Sequence, residues 1–245
     1  MNSLAQAIRF AAAALVAGAA AFAADAVRAE EDQRARCTED AMLVFDASGS
    51  MAGNGWGYGS ENPTAVTRIE RVRSALGKIL PRVTRLRRVG LITYGPGPYQ
   101  KCNVQLDLRP TANAAAPILA TVNGLVPGGQ TPMSEAVAQA AEVLEHRAKP
   151  GVIVLLTDGE ETCGGKPCAL GKKLHAQSPG LTVHVIGLRV EGGLSWTGEN
   201  SIVDTQCLAE QTGGLYTKVD TEDELIAALE KALGCPMLTQ DVEGR

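Results

Sequence analysis

Short apolar runs alternate with helical patterns along most of this chain of 245 residues. The runs are rich in β-branched residues and bounded by turn residues, as buried strands of a largely parallel sheet are. The predicted strands are Ala41–Phe45, Val89–Tyr94, Val104–Leu108, Val152–Thr157, Thr182–Leu188 and Leu215–Val219. The predicted helices are Thr67–Leu80, Ala114–Val122, Pro132–Ala148, Cys168–Gln177, Ser201–Gln211 and Glu222–Leu233. This order predicts a doubly wound, Rossmann-like α/β domain whose six-stranded sheet carries helices on both faces.

One strand of the predicted sheet is expected to run against the others. The segment Val104–Leu108 alternates between apolar and polar residues and follows the turn Gly95–Pro98. Such a pattern is typical of an edge strand joined to its predecessor by a hairpin. The sequence therefore predicts a mostly parallel sheet with one antiparallel edge strand, closed at the other edge by Leu215–Val219.

The N-terminal segment has the pattern of a secretory signal peptide. Arg9 precedes an apolar run, Phe10 to Ala23, that is too short to span a bilayer. Small-residue patterns predict cleavage after Ala23 or Ala29. We therefore expect residues 1–29 to be removed, a domain at 37–235, and a polar tail at 236–245. No later segment has the length and hydropathy of a membrane span, and we expect a secreted or periplasmic protein.

Six cysteines in an exported chain favour disulfide bonds over zinc ligands. Cys163 and Cys168 flank a short turn and are expected to bond to each other. Cys37 and Cys235 bracket the predicted domain and are expected to tie its ends together. That leaves Cys102 to pair with Cys207 by subtraction. The zinc alternative lacks a Cys-x-x-Cys pair. The net charge of -4 does not indicate a nucleic-acid partner.

Oxygen-bearing side chains gather at the predicted carboxyl edge of the sheet, where open α/β sheets bind ligands. Asp46, Ser48 and Ser50 follow the first strand, and Asp158 follows the fourth. Thr131 lies just before a predicted helix, where its hydroxyl can either cap that helix or face a cation. Carboxylates and hydroxyls are ligands that suit a small hard cation. These five residues are therefore the candidate metal site.

The same residues resemble the complete metal-ion-dependent adhesion site of von Willebrand factor type A (VWA) domains. The match includes Asp46-Ala-Ser48-Gly-Ser50, Thr131 and Asp158, and the similarity extends from about Ala41 to Leu233. It implies Mg²⁺ or Mn²⁺ with Ser48, Ser50 and Thr131 as direct ligands. It further implies that Asp46 and Asp158 act directly or through water, and that a partner's Asp or Glu fills the open position. The implied function is metal-dependent protein binding in adhesion or assembly.

Several other features have two interpretations each. Glu160 and Glu161 are expected to be solvated loop charges, or else to support the metal ligands. The loop with Trp56 and Tyr58 either contacts a partner or folds back onto the sheet. A basic run from Arg68 to Arg88 is expected to be a solvated helix face, with an anionic lipid or polysaccharide surface as the alternative.

A metal-assisted hydrolase is the alternative function class. It would normally add histidine or further carboxylate ligands and a general base, and a serine hydrolase would carry a Gly-x-Ser-x-Gly elbow. The sequence lacks these patterns, so we expect a binding module and not an enzyme. A third possibility is an accessory factor in the maturation of a periplasmic enzyme complex. The sequence indicates no oligomeric state.

Overall fold

The computed structural model of the chain describes residues 39–53, 66–98, 101–188 and 200–234. The predicted signal peptide, the loop with Trp56 and Tyr58, and the C-terminal tail lie outside the described residues. Cys37 and Cys235 lie outside them as well, so their predicted disulfide stays a prediction. The described part of the chain has no helix that is both long and apolar enough to cross a membrane.

Six strands form one sheet, in the spatial order β3-β2-β1-β4-β5-β6. The strands are Ala41–Asp46 (β1), Val89–Tyr94 (β2), Val104–Thr111 (β3), Gly151–Thr157 (β4), Leu181–Leu188 (β5) and Tyr216–Val219 (β6). Only β2 and β3 pair antiparallel, and the other four pairings are parallel. The predicted mostly parallel sheet with one antiparallel edge strand is therefore confirmed.

In the described part of the chain, six α-helices cover the two faces of the sheet. They are Arg68–Leu86 (α1), Ala115–Gly124 (α2), Met133–Val143 (α3), Pro167–Gln177 (α4), Asn200–Gln211 (α5) and Glu222–Leu233 (α6). One core cluster joins the sheet to α1, α2 and α6, and a second joins it to α3, α4 and α5. Every residue of β1, β2 and β4 is buried. Burial on both faces explains why these strands read as continuous apolar runs.

Helix α1 extends six residues beyond its predicted end at Leu80. It continues through Pro81, which interrupts the helical hydrogen bonding at a cost of about 3 kcal/mol. Leu80 and Val83 are both buried in the core, and such burial contributes about 1.5–3 kcal/mol for each side chain. Packing on either side of the proline therefore holds the helix together.

Helix α3 ends at Val143 and not at the predicted Ala148. Glu145 takes a left-handed conformation, with φ 54°, which breaks the helical path. The turn carries His146 inward, where its side chain is 4% exposed and its Nδ1 contacts the hydroxyl of Ser178. Burial of this histidine against the end of α4 replaces the last predicted turn of the helix.

Two disulfides differ from the predicted pairing. Cys102 bonds to Cys163, and Cys168 bonds to Cys207. The predicted pairs Cys163–Cys168 and Cys102–Cys207 are therefore wrong. Cys168 lies in the first turn of α4, which packs along α5 and so brings it to Cys207. Cys102 and Cys163 lie in two loops that meet at the carboxyl edge of the sheet.

Candidate functional site

Asp46 is the last residue of β1, and its carboxyl group is fully buried. Its Oδ1 accepts a hydrogen bond from the backbone N–H of Ser48 at 2.8 Å. Its Oδ2 accepts one from the hydroxyl of Thr157, the last residue of the neighbouring strand β4, also at 2.8 Å. These two bonds fix the carboxylate at the point where the central strands end.

The two serines follow Asp46 and bring their hydroxyl groups together. A short 3₁₀ turn, Gly49–Ala52, folds the chain back directly after the strand. The hydroxyl oxygens of Ser48 and Ser50 lie 3.1 Å apart. The hydroxyl of Ser50 donates to Oδ1 of Asp158 at 2.6 Å. Asp46, Ser48, Ser50 and Asp158 therefore form one continuous polar group.

Thr131 lies on a loop that is bonded to the serine turn. The N–H of Gly49 donates to the carbonyl of Gly129 at 3.0 Å, which places Thr131 two residues from this contact. The Thr131 N–H donates to the hydroxyl of Thr162 at 2.8 Å, and the Thr162 N–H donates back to the Thr131 carbonyl at 3.2 Å. Thr131 is 5% exposed. Backbone bonds thus tie it to both the serine turn and the loop after β4.

The capping alternative for Thr131 is not what the structure shows. Pro132 occupies the N-cap position of α3, without a side-chain cap. The N–H of Ser134 in the first helical turn donates instead to Oε2 of Glu161 at 2.8 Å. Oε1 of Glu161 also accepts from the N–H of Cys163 at 2.9 Å. Glu161 is thus a structural residue that holds its own loop against α3, and not the solvated charge that we expected.

Gly95 allows the three loops to approach one another closely. Its φ of 73° lies in the left-handed region. A Cβ atom there would lie 2.8 Å from the backbone N of Ser48 and 2.5 Å from the carbonyl O of Gln130. The Gly95 carbonyl also accepts from the N–H of Gly129 at 2.7 Å. Only glycine combines this backbone conformation with this proximity.

Arg68 is a site residue that the sequence analysis missed. Its Nη1 donates to Oδ2 of Asp158 at 2.7 Å and to the carbonyl of Ser50 at 2.6 Å. The Arg68 side chain is 14% exposed and the Asp158 side chain is fully buried. Arg68 is the first residue of α1, at the end of the helix that lies beside the sheet edge. A cation there opposes the helix dipole, which is the one signal that could have distinguished it from its neighbours.

Much of the remaining basic run on α1 is committed to contacts within the chain. Arg73 donates to the carbonyls of Val122 and Leu125 at 3.0 and 2.6 Å. Lys78 pairs with Glu222 at 2.7 Å, and Arg82 pairs with Glu230. These residues dock α1 against α2 and α6. The contacts weigh against the lipid or polysaccharide alternative, because these charges are already partnered.

The two buried carboxylates have perturbed proton affinities. Burial, and then the negative charge of Asp158, raise the pKa of Asp46 to about 6, although hydrogen bonds from Ser48 and Thr157 oppose this. Burial also raises the pKa of Asp158, against the stabilising charge of Arg68 and the bond from Ser50. Two buried carboxylates thus share a single guanidinium. With both ionised, the group carries one uncompensated negative charge.

The spacing of the oxygen atoms fits a small octahedral cation. Neighbouring ligands of Mg²⁺, at about 2.1 Å from the ion, lie about 3.0 Å apart at a right angle. The 3.1 Å between the two serine oxygens matches that spacing. The described residues hold no cluster of three or more His, Cys, Asp and Glu side chains that could bind a metal. Besides its two carboxylates, the group at the sheet edge offers hydroxyl oxygens, which hard cations accept.

Comparisons with known proteins agree with this fold. Residues 41–161 match the family model for the von Willebrand factor type A domain. The Bacillus subtilis (strain 168) protein YwmC is 29% identical over 216 residues, which cover 84% of this chain and 86% of that protein.

Two solved structures share the fold at low sequence identity. One is an aerotolerance-related membrane protein from Bacteroides fragilis, with a TM-score of 0.54 and 20% identity, covering 80% of this chain and 98% of that one. The other is proximal thread matrix protein 1 from the mussel byssus, solved with a zinc-occupied MIDAS motif. Its TM-score is 0.55 and its identity 20%, covering 81% of this chain and 46% of that one.

Proposed function

We propose that this chain is an exported, non-enzymatic binding module that grips an acidic residue of a partner protein through a divalent cation. The cation would be held by Asp46, Ser48, Ser50, Thr131 and Asp158. The observation that carries the proposal is the hydrogen-bonded group at the sheet edge, in which two buried carboxylates meet two hydroxyls 3.1 Å apart. A bound cation would supply positive charge and an open coordination position for a carboxylate.

Each residue has a defined part in this mechanism. Ser48 and Ser50 would offer hydroxyl oxygens from one short turn, and Thr131 would offer a third from the adjoining loop. Asp46 and Asp158 supply the negative charge that offsets the ion, either directly or through water. The bond from Thr157 orients Asp46, and the bond from Arg68 orients Asp158. The backbone contacts of Gly49 and Gly129 keep the two hydroxyl-bearing loops in register.

Mg²⁺ or Mn²⁺ is the proposed ion, since the ligands are oxygen atoms alone. The mussel protein is described with zinc in its MIDAS motif, and that structure supports the general capacity of this fold to hold a divalent ion. VWA domains commonly act as protein-interaction modules, which supports a protein partner in preference to a nucleic acid. The two disulfides support export to an oxidising compartment, secreted or periplasmic.

Ser50→Ala tests the metal site directly. Ser50 is exposed and its hydroxyl bridges Ser48 and Asp158, so the variant should fold and lose most of its affinity for Mn²⁺. Ser74→Ala is the matched control, because Ser74 is an exposed serine on α1 that bonds to Glu222. Isothermal calorimetry would measure both. Equal Mn²⁺ binding by the wild type and by Ser50→Ala would refute the assignment.

A capture experiment tests the partner half of the proposal. Immobilised wild-type protein should retain a partner in Mg²⁺ and release it in chelator, and the Ser50→Ala protein should not retain it. Replacing the partner's critical Asp or Glu by its amide should abolish the binding, since a neutral amide is a weaker ligand for a hard cation. Retention that is indifferent to chelator would contradict the mechanism.

The hydrolase alternative has one geometric candidate outside the metal site. The hydroxyl of Ser178 contacts Nδ1 of His146, and His146 Nε2 lies 3.3 Å from Oε1 of Glu142. These are the group types of a catalytic triad, although the two ring nitrogens of the histidine are exchanged relative to it. Ser178 and His146 are, however, 2% and 4% exposed. A substrate could not reach the serine, so we interpret the contact as a buried polar link between the end of α4 and the turn after α3.

A further inference from the structure

We propose that Arg68 is a specificity-determining residue of the metal site, which lowers its affinity for the cation and raises its affinity for an anionic ligand. This inference rests on the proposed function, because it concerns the same site. Arg68 is not one of the five predicted ligands, and its role here is to adjust the charge of the site. The observations that carry it are the burial and the two bonds of the Arg68 guanidinium.

The guanidinium of Arg68 is built into the site and does not merely lie near it. One nitrogen, Nη1, bonds both to Asp158 Oδ2 and to the carbonyl of Ser50. The Asp158 side chain is fully buried, and the Arg68 side chain is 14% exposed. An ion pair with so little access to water is screened far less than a surface pair. Arg68 therefore contributes a weakly screened positive charge to the place where the cation would bind.

The charge of Arg68 changes the net charge of the proposed site. Asp46 and Asp158 carry two negative charges, Arg68 carries one positive charge, and a divalent ion would add two. The loaded site then has a net charge of +1, and a partner's carboxylate brings it to zero. Without Arg68 the loaded site would already be neutral, and a carboxylate would leave it negative. Arg68 thus favours an anion in the loaded site and opposes the ion in the empty one.

The bonds of Arg68 also restrict how Asp158 can act. Oδ2 is taken by the guanidinium, and Oδ1 faces the hydroxyl of Ser50. Only Oδ1 is therefore directed toward the serine oxygens, where the cation would sit. This leaves coordination positions that a protein carboxylate does not fill. Such positions are available to water and then to the ligand.

Arg68→Gln is the variant that tests the inference, because it keeps a hydrogen-bond donor and removes the charge. Arg85→Gln is the matched control, since Arg85 is an exposed residue in the last turn of the same helix and its loss changes the net charge equally. Calorimetry with Mn²⁺ should show a dissociation constant lower by on the order of tenfold for Arg68→Gln and unchanged for Arg85→Gln.

The anion half of the inference needs a second measurement on the same proteins. Acetate serves as the probe and acetamide as its neutral match, and proton relaxation by bound Mn²⁺ reports how long each stays beside the ion. At saturating Mn²⁺, the proton relaxation rate of acetate should be several-fold lower with Arg68→Gln than with the wild type. The relaxation rate of acetamide should be the same with both proteins. Tighter Mn²⁺ binding with weaker acetate binding supports the inference.

The remaining outcomes separate this inference from the proposed function. If wild type and Arg68→Gln bind Mn²⁺ equally, or the variant binds it more weakly, the role of Arg68 is refuted and the metal site stands. If neither protein binds Mn²⁺, the proposed function falls and this inference falls with it. Should Arg68→Gln fail to fold, Arg68→Lys replaces it. A charge-preserving lysine must then match the wild type in both affinities, and tenfold tighter Mn²⁺ binding would overturn the inference.

Discussion

Asp46 combines complete burial with a place in the proposed cation site. Because burial and the charge of Asp158 raise the pKa of Asp46 to about 6, protons compete with the metal in mildly acidic solution. We predict that Mn²⁺ affinity at pH 5 is lower than at pH 7.5 by on the order of tenfold, as expected one unit below that pKa. Calorimetry at the two pH values checks this. An affinity that does not change would contradict the elevated pKa.

The same shift has a stability consequence of known sign in the absence of metal. Asp46 holds its proton up to about pH 6 in the folded chain, whereas an exposed aspartate releases it near pH 4. The folded state therefore binds more protons between these values, and the contribution of Asp46 to the free energy of unfolding decreases as pH rises through that window. Urea unfolding in chelator, with Asp46→Asn as the comparison that cannot titrate, measures the difference.

The sequence indicated the candidate ligands more readily than the residues that contact them. Asp46, Ser48, Ser50 and Asp158 follow directly after apolar strands, so topology alone brings them to one edge. Arg68 and Glu161 reach this edge through side-chain contacts between elements far apart in sequence. Such contacts depend on rotamers and packing, which no local pattern records. The sequence therefore indicated only that Arg68 belongs to a basic run on a solvated helix face.

At the scale of elements, the approach of the loops at the carboxyl edge depends on Gly95. We predict that Gly95→Ala destabilises the protein by about 2–4 kcal/mol, since it combines a strained φ with backbone clashes at Ser48 and Gln130. Gly77→Ala is the control. Gly77 lies inside α1, where an added methyl group would meet nothing within 4 Å, and its replacement should stabilise the protein by about 0.5–1 kcal/mol.

Urea unfolding of both glycine variants provides the measurement. A Gly95→Ala protein as stable as the wild type would mean that the loops can separate without cost, against the close contacts described. Any surviving Gly95→Ala protein should also bind Mn²⁺ more weakly than Gly77→Ala. The expected reason is that the added methyl group displaces the backbone of Ser48.

The predicted elements agree with the structure in type and order, and their errors lie at the ends. The strands were predictable because short, continuous apolar runs are typical of parallel strands that are buried on both faces. The end of α1 was not, because local rules stop a helix at Pro81 whereas the burial of Leu80 and Val83 continues it. The end of α3 was missed because it depends on the burial of His146 against Ser178, a contact between residues far apart in sequence.

Across the whole molecule, the two disulfides have different relations to the site. Cys102–Cys163 joins the loop before β3 to the loop after β4, and the same loops bond to the Thr131 loop through Lys101 with Gln130 and through Thr162. Cys168–Cys207 instead joins α4 to α5. We therefore expect the first bond to organise the proposed metal site and the second to affect stability alone.

Paired alanine variants would separate these two effects. In the chain-entropy model the closed loops, with sequence separations of 61 and 39 residues, each contribute about 4 kcal/mol. The Cys102→Ala/Cys163→Ala and Cys168→Ala/Cys207→Ala proteins should therefore lose similar stability, measured by urea unfolding. Only the first should bind Mn²⁺ several-fold more weakly while folded. Equal metal affinity in the two variants would show that backbone hydrogen bonds suffice to hold the loops.

The disulfide pairing could not be predicted from spacing, for a reason that applies to the molecule as a whole. Cys163 and Cys168 are close in sequence, yet α4 begins at Pro167, so Cys163 lies in the preceding loop and Cys168 lies in the helix. Each cysteine consequently faces a different neighbour. Proximity in this fold is decided by which loops share a sheet edge and which helices share a face, and both are properties of the assembled domain.

The outer strand β3 also determines how copies of this protein can meet. Its path contains Pro110, which has no N–H to donate, and its register against β2 shifts twice near Leu91. The opposite edge strand, β6, is only four residues long. A strand of a second chain would meet an irregular edge strand at β3 and a short one at β6, so extension of the sheet by strand addition is disfavoured. At high concentration this should protect the domain against fibrous aggregation.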